Sequence, residues 1–293
     1  MSIQQLEALL AAAEGGPDFG DPPEKARADF AAMLQSLPVP DSVSVEEREL
    51  GGVSAIRVTP EGAEFSSGVM YVHGGAYIAG SARDYLSVVA ALAVSLQMPV
   101  YAIDYRLAPE AVFPAAIDDA RSAFLALAQE MGAKNVAVVG DSAGGGLSLS
   151  LLAHLKDRGE LLPAVTVLLS PWTDLSCSGG SIETKAAEDP ILTAEGLRNA
   201  ARIYLDGADP RDPAASPLCA DLSGLPPVHV HVGSREILLD DALRLADHGD
   251  VDVRVWQGMV HDWCMFWFAL DEAQEVLDVV SDQIRRAVSV VAK

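Results

Sequence analysis

Cysteine is scarce in this chain of 293 residues, which contains only three: Cys177, Cys219 and Cys264. An odd number of widely separated cysteines predicts neither a disulfide framework nor a zinc site. The chain also lacks an uncharged apolar run of about 18 residues, the length that a membrane-spanning helix needs. Its first residues lack the basic segment and apolar core of a signal peptide. These absences predict a protein of the reducing cytoplasm with no membrane span.

Basic residues are also few, since 20 Lys and Arg stand against 42 Asp and Glu and give a formal net charge of −22. Such a charge repels nucleic acid and anionic lipid, so we expect neither as a partner. Hydrophobic residues make up 50% of the chain, enough for a substantial core. A chain of this length fits one large α/β domain, which buries about three quarters of its unfolded surface.

Apolar, β-rich runs alternate with helical patterns along most of the chain. The runs cover residues 69–72, 100–103, 136–139, 165–169, 228–232 and 251–256. The helical patterns cover residues 87–96, 115–131, 145–157, 238–247 and 271–291. This alternation predicts an α/β fold with a mostly parallel central sheet and helices on both faces. Sites in such folds lie at the carboxyl ends of the strands.

Two segments fall outside the alternation. Residues 1–40 have a helical pattern, with apolar side chains on one face at Phe30, Met33, Leu34 and Leu37. The second segment runs from Gly179 to about Pro217 and contains a helical stretch at 193–205. We predict that the two segments fold together as a helical cap over the strand ends, and ordinary surface helices are the alternative.

This interpretation gives a domain organisation with two parts. Residues 1–45 form the N-terminal cap helices. Residues 46–293 form the catalytic domain, with a cap insertion at about 180–215. The same interpretation makes Met33 and Leu34 of the cap candidates for contact with a substrate.

A serine stands at the tip of a glycine-rich turn. Gly140-Asp141-Ser142-Ala143-Gly144-Gly145 follows the apolar run at 136–139 and precedes a helical pattern. A strand, a sharp turn and a helix in this order hold a nucleophilic hydroxyl at the edge of a sheet. Side chains at Gly140 and Gly144 would clash in so tight a turn. The pattern predicts Ser142 as a nucleophile.

A second glycine-rich loop, His73-Gly74-Gly75-Ala76-Tyr77, follows the strand at 69–72. Consecutive backbone N–H groups after a strand can converge on the oxyanion of a tetrahedral intermediate, together with the amide of Ala143. The amides of Gly74, Gly75 and Ala76 are therefore candidates for an oxyanion hole, and a plain glycine turn is the alternative. Tyr77, beside this loop, is a candidate substrate contact.

Of six histidines, His261 lies where a catalytic base has to be, in a loop after the last predicted strand. A neutral imidazole there would take the serine proton and return it to the leaving group. His73 belongs to the glycine loop and suits a structural role. His229 and His231 share one face of a strand, but no further ligand clusters with them, so we expect no metal.

The third member of a triad is an acid that fixes the imidazole tautomer. Glu236 lies four residues beyond the run at 228–232, where such an acid is needed. Asp240 and Asp241 lie further into the next helix, where acidic residues also favour the helix start. We therefore favour Glu236 over Asp240.

Several co-linear motifs resemble the hormone-sensitive-lipase-like branch of microbial esterases within the α/β-hydrolase superfamily. The similarity covers residues 65–285 and rests on the segments 73–77, 104–110, 113–115, 140–145, 170–174 and 233–241. It implies an α/β-hydrolase fold with a cap, no cofactor, and Ser142, His261 and an acid as the triad. Glu236 stands where most members carry aspartate, and Ala76 stands where many carry a third glycine.

The resemblance also implies a function. We expect a carboxylesterase acting on short- to medium-chain acyl esters, with lactones as a further class, through an acyl-serine intermediate. It also implies oxyanion donors at Gly75, Ala76 and Ala143, and pairing into a homodimer. A small-molecule binding protein on a hydrolase scaffold, or an acyltransferase or amidase using the same serine, are the alternatives.

Overall fold

The computed structural model describes residues 2–12, 17–63, 65–248 and 251–289. Within these ranges eight strands form one sheet in the order β1-β2-β4-β3-β5-β6-β7-β8. The strands are β1 (Val43–Leu50), β2 (Val53–Pro60), β3 (Gly68–Val72), β4 (Val100–Ile103), β5 (Val136–Asp141), β6 (Val165–Leu169), β7 (Val228–Gly233) and β8 (Val251–Trp256). Strands β1, β2 and β4 pair antiparallel, and the pairs from β4 through β3 to β8 are parallel.

Helices alternate with these strands. They are α1 (Ser2–Ala12), α2 (Pro23–Gln35), α3 (Leu86–Leu96), α4 (Ala115–Met131), α5 (Ser142–Asp157), α6 (Ser181–Thr184), α7 (Ala194–Leu205), α8 (Leu239–Leu245) and α9 (Asp271–Ser289). Helix α3 packs against α9, and α4 packs against α5. From β3 through α3 to β4 the chain moves toward one edge of the sheet. From β4 through α4 to β5, and on through α5 to β6, it moves toward the other edge. Right-handed crossovers therefore put these two helix pairs on opposite faces.

The apolar runs become strands because both faces of the sheet are covered. Every residue of β3, β4, β5 and β6 is buried. Such strands contain continuous β-branched and aliphatic residues rather than an alternating pattern. The α/β prediction is confirmed, and each of the six predicted runs is a strand within one or two residues of its expected limits.

The sequence interpretation missed the hairpin of β1 and β2. Gly51 and Gly52 join the strands, and Leu50 pairs with Val53 across the turn. A two-residue glycine turn between β-rich segments is a hairpin signal. Strand β1 lacked the other signal, a regular apolar face, because most of its residues are exposed.

Strand β1 begins at Val43, before the predicted boundary between residues 45 and 46. The helical pattern predicted over 1–40 contains α1 and α2, with residues 1 and 13–16 outside the described ranges. The pattern predicted over 271–291 is helical through Ser289, and its last two residues also lie outside them. Among the described helices, none has the length and apolar character needed to cross a membrane.

The parallel strands bring five loops to one edge of the sheet. The segments that follow β3, β5, β6, β7 and β8 begin with or contain His73, Ser142, Ser170, Glu236 and His261, respectively. Carboxyl ends of parallel strands share one edge, so residues far apart in sequence meet there. This edge carries the candidate site.

Candidate active site

The turn between β5 and α5 is sharp and strained. Ser142 has a φ of 50°, in the left-handed region that side chains other than glycine rarely adopt. A Cβ added to Gly140 would lie 2.3 Å from the Gly144 carbonyl oxygen, and one added to Gly144 would lie 2.0 Å from that of Val72. Glycine is therefore required at both positions, and the turn holds the Ser142 hydroxyl at the sheet edge.

Ser142, His261 and Glu236 form a connected line of side chains. His261 Nε2 lies 2.9 Å from Ser142 Oγ, and His261 Nδ1 lies 3.0 Å from Glu236 Oε2. All three residues are buried, with Ser142 7% exposed. A proton on Nδ1, donated to Glu236, leaves the Nε2 lone pair to accept the serine hydroxyl proton. The geometry suits proton abstraction from Ser142.

Glu236 is held by the loop that carries it and by a neighbouring strand end. Its Oε1 accepts a hydrogen bond from the Gly233 amide and another, 2.7 Å long, from the Ser170 hydroxyl. Complete burial raises the pKa of Glu236 to about 7, against the opposing effect of these donors and His261. The sequence interpretation gave Ser170 no role, although its place directly after β6 was a signal.

The other acids of this region serve different contacts. Asp240 Oδ2 accepts the Ser181 amide. Asp241 Oδ2 accepts the amides of Thr173 and Asp174, at 2.8 and 2.9 Å. These two carboxylates anchor the segments after β6, whereas Glu236 contacts the imidazole.

A second carboxylate lies beside His261. Asp262 Oδ2 is 3.2 Å from His261 Nε2, on the ring nitrogen that faces Ser142. Burial alone would lower the pKa of His261, but the nearby carboxylates of Asp262 and Glu236 raise it well above its ordinary value. The sequence interpretation did not identify Asp262.

The glycine loop after β3 has an unusual backbone. Gly75, Ala76 and Tyr77 have φ values of 111°, 55° and 63°. Within the described chain, no acceptor is bonded to the amides of Gly75 and Ala76, and the same holds for Ala143 at the start of α5. Unpaired amides in the glycine loop and at the start of α5 are suited to stabilise an oxyanion.

The Gly74 amide is occupied, which corrects the expectation that it joins this group. Its nitrogen lies 3.1 Å from both Oδ1 and Oδ2 of Asp141. The hydroxyls of Tyr71 and Tyr85 also donate to Asp141, each at 2.8 Å. Asp141, the residue before Ser142, therefore ties the glycine loop to the serine turn.

A family model described as the alpha/beta hydrolase fold matches residues 69–265. The chain belongs to the α/β-hydrolase family. An acetyl-hydrolase from Streptomyces hygroscopicus is 40% identical to this hydrolase over 225 residues, which are 75% of each chain. An esterase from Acinetobacter venetianus is 35% identical over 269 residues, 89% of this chain and 88% of its own.

A solved structure shows the same relationship for the whole fold. The crystal structure of an esterase from the bacterial hormone-sensitive lipase family superposes with a TM-score of 0.91 at 35% identity and covers 98% of each chain. The resemblance to hormone-sensitive-lipase-like esterases is therefore confirmed.

Three other histidines of the hydrolase have partners other than Ser142. The His73 ring stacks on Tyr105 at 4.4 Å, and its Nδ1 lies 2.7 Å from the Gly74 carbonyl oxygen. His231 Nδ1 accepts the Trp256 indole N–H, while His229 contacts an acid on β8.

In the ranges that the structure describes, no group of three or more side chains is arranged to hold a metal ion.

The three candidates for substrate contact occupy different environments. Tyr77 is buried and stacks on Tyr204 at 4.0 Å between ring centroids. Leu34 is buried in the core, and Met33 is half-buried on α2. Phe30, noted in the sequence only as part of the helix face, lies against the glycine loop after β3. A Cβ added to Gly75 would be 3.1 Å from its ring.

Proposed function

We propose that this carboxylic ester hydrolase acts through an acyl-serine intermediate with Ser142 as nucleophile, His261 as base and Glu236 as orienting acid. The observation that carries the proposal is the unbroken contact from Ser142 Oγ to His261 Nε2, 2.9 Å, and from His261 Nδ1 to Glu236 Oε2, 3.0 Å. Three side chains from separate strand ends in this order are suited to nucleophilic acyl transfer.

The first half of the reaction acylates the serine. Ser142 Oγ forms a bond to the ester carbonyl carbon while its proton passes to His261 Nε2. The amides of Gly75, Ala76 and Ala143 donate to the oxygen that becomes negatively charged. The bond to the alkoxide then breaks, and the Nε2 proton goes to that oxygen, releasing an alcohol.

The second half regenerates the serine. Water attacks the acyl carbon and gives a proton to His261 Nε2. The bond from Ser142 Oγ to the acyl carbon breaks, Oγ regains the proton, and the carboxylic acid leaves. Glu236 keeps the ring oriented and stabilises its charged form in both halves.

We propose short- to medium-chain acyl esters as substrates, with lactones as a further class. Ser142 is 7% exposed, so a small acyl group reaches it most readily. The Streptomyces relative is named an acetyl-hydrolase, and this name supports a preference for short acyl chains. Tyr77, Met33 and Leu34 stay candidate contacts, and Phe30 joins them because of its position against Gly75.

A cap made of the N-terminal helices and the insertion at about 180–215 is part of the proposal. It is supported by two contacts of Arg235, the residue before Glu236. Arg235 Nη1 donates to Glu7 of α1 at 2.7 Å, and its Nε donates to the Glu188 carbonyl oxygen at 3.2 Å. Both segments are therefore bonded to the loop that carries the triad acid.

Hydrolysis of p-nitrophenyl esters of increasing acyl length tests the proposal, with Ser142→Ala as the control. We expect turnover of the acetyl and butyryl esters by the wild type and loss of turnover in the variant. A wild type that binds esters without turnover would instead indicate a binding protein. Preferential transfer of the acyl group to an added alcohol would indicate an acyltransferase, and faster cleavage of anilides an amidase.

A further inference from the structure

The imidazole of His261 lies between two carboxylates. Glu236 contacts Nδ1, the nitrogen far from the serine. Asp262 Oδ2 lies 3.2 Å from Nε2, the nitrogen that is 2.9 Å from Ser142 Oγ. The Ser-His-Glu scheme leaves Asp262 without a function, although it contacts the atom that carries the proton.

The backbone holds Asp262 in this position. Asp262 has a φ of 51°, in the left-handed region. Its N–H donates to Ser170 Oγ at 3.2 Å, and the Ser170 hydroxyl donates to Glu236. One hydroxyl thus contacts both the Glu236 carboxylate and the backbone of Asp262.

The environment of Asp262 is costly for a carboxylate. Its side chain is 14% exposed, and its Oδ1 is buried with no hydrogen-bond partner in the described part of the chain. An unpaired buried oxygen on a strained backbone costs folding free energy, and sites of reaction are where such costs concentrate.

The contact with Asp262 changes during the reaction. In the neutral form of the ring, which acts as the base, Nε2 carries a lone pair, so the Asp262 carboxylate has no proton to accept from it. Once Ser142 has given up its proton, Nε2–H carries positive charge beside that carboxylate. An interaction that strengthens as charge develops lowers the barrier.

We propose that Asp262 is a second catalytic carboxylate, which stabilises the imidazolium of His261 at Nε2 while Glu236 orients the ring at Nδ1. The inference rests on the proposed function of Ser142 and His261. It assigns the two acids different tasks on the two ring nitrogens.

Two carboxylates contact this ring, and a third carboxylate and a thiol interact electrostatically with the same group. Glu236 comes from the loop after β7, Asp262 follows the histidine, and Asp141 acts from the end of β5. The buried Cys264 thiol lies among the same three acids, which with burial raise its pKa well above the ordinary value. The negative surroundings favour the charged ring, so the raised pKa of His261 requires a higher pH for the neutral base.

The test is the pH profile of kcat/KM for Asp262→Asn with p-nitrophenyl acetate, since its acid limb reports the free-enzyme base. Asparagine keeps the volume and tolerates a positive φ. We expect the limb to move about one unit to lower pH, a tenfold change in proton affinity, and the plateau value of kcat/KM to fall about tenfold. Asp157→Asn, at the exposed far end of α5, removes the same charge and should leave both unchanged.

Asp262→Gly, which accepts the same φ, is the second variant should the asparagine variant not fold. An acid limb at the wild-type position in the folded variant would overturn the role of Asp262. Full activity of Ser142→Ala or His261→Ala in the same assay would overturn the proposed triad instead. The two failures are therefore distinguishable.

Discussion

Both side-chain oxygens of Asp141 lie 3.1 Å from the Gly74 amide nitrogen, so the residue before Ser142 is bonded to the loop after β3. The pair joins the two backbone segments whose amides we assign to the oxyanion hole. The hydroxyls of Tyr71 and Tyr85 donate two further hydrogen bonds to this buried carboxylate. Its pKa lies well above the ordinary value because of burial and the nearby Asp262 charge.

Asp141→Asn should lower kcat more than it changes KM. An amide cannot accept hydrogen bonds at both ends, so the variant loses acceptors for Gly74 or the tyrosines. The glycine loop after β3 would then be held less firmly, and we expect kcat to fall about 10- to 100-fold. Steady-state kinetics with p-nitrophenyl acetate measures the effect. Tyr71→Phe, which removes one donor, should cost less, and a wild-type kcat in Asp141→Asn would contradict this role.

Glu236→Gln should have a far larger effect than Asp240→Asn. Glutamine keeps the shape of Glu236 but not the charge that stabilises the imidazolium, so kcat should fall about 100- to 10,000-fold. Asp240 contacts the Ser181 amide instead, so its variant should keep near wild-type kcat. Equal losses in the two variants would contradict Glu236 as the triad acid.

Ser170→Ala should lower kcat about tenfold, because Glu236 and the Asp262 amide both lose their shared hydroxyl partner. Ser150 supplies a matched control. Its hydroxyl is buried with no hydrogen-bond partner among the described residues, so Ser150→Ala should keep activity and equal or exceed wild-type stability. Kinetics and thermal unfolding of both variants test this, and an unaffected kcat in Ser170→Ala would count against its role.

Phe30→Ala should shift the preference among p-nitrophenyl esters toward longer acyl chains. Removal of this ring opens space beside Gly75 and next to Phe19, whose ring lies 5.8 Å from that of Phe30. Leu34→Ala, on the same helix, should cost about 2–5 kcal/mol of unfolding free energy, since Leu34 is buried in the core. An unchanged chain-length profile in Phe30→Ala would exclude it from the substrate wall.

Local patterns in the sequence predicted the central strands, the serine turn and the histidine loop. Each depends on neighbouring residues: β-branched runs form buried strands, and glycines at 140 and 144 permit the sharp turn. Parallel strands then bring their carboxyl ends together, so topology predicted the meeting of distant loops.

The contacts that support the triad could not be predicted from local sequence patterns. Asp141 and Gly74 are 67 residues apart, and Asp262 and Ser170 are 92 apart. Whether such side chains meet depends on their direction and on backbone angles at several strand ends. The occupied Gly74 amide and the left-handed Asp262 backbone are features that only the folded chain provides.

Covalent labelling is the sharpest test of whether Ser142 is the nucleophile. We would treat the active enzyme with diethyl p-nitrophenyl phosphate and map the modified peptide by mass spectrometry. We expect a single diethylphosphoryl adduct on Ser142, formed in step with loss of esterase activity and greatly slowed in His261→Ala. An adduct on another residue that tracks the loss of activity, or an active enzyme that leaves Ser142 unmodified, would contradict it.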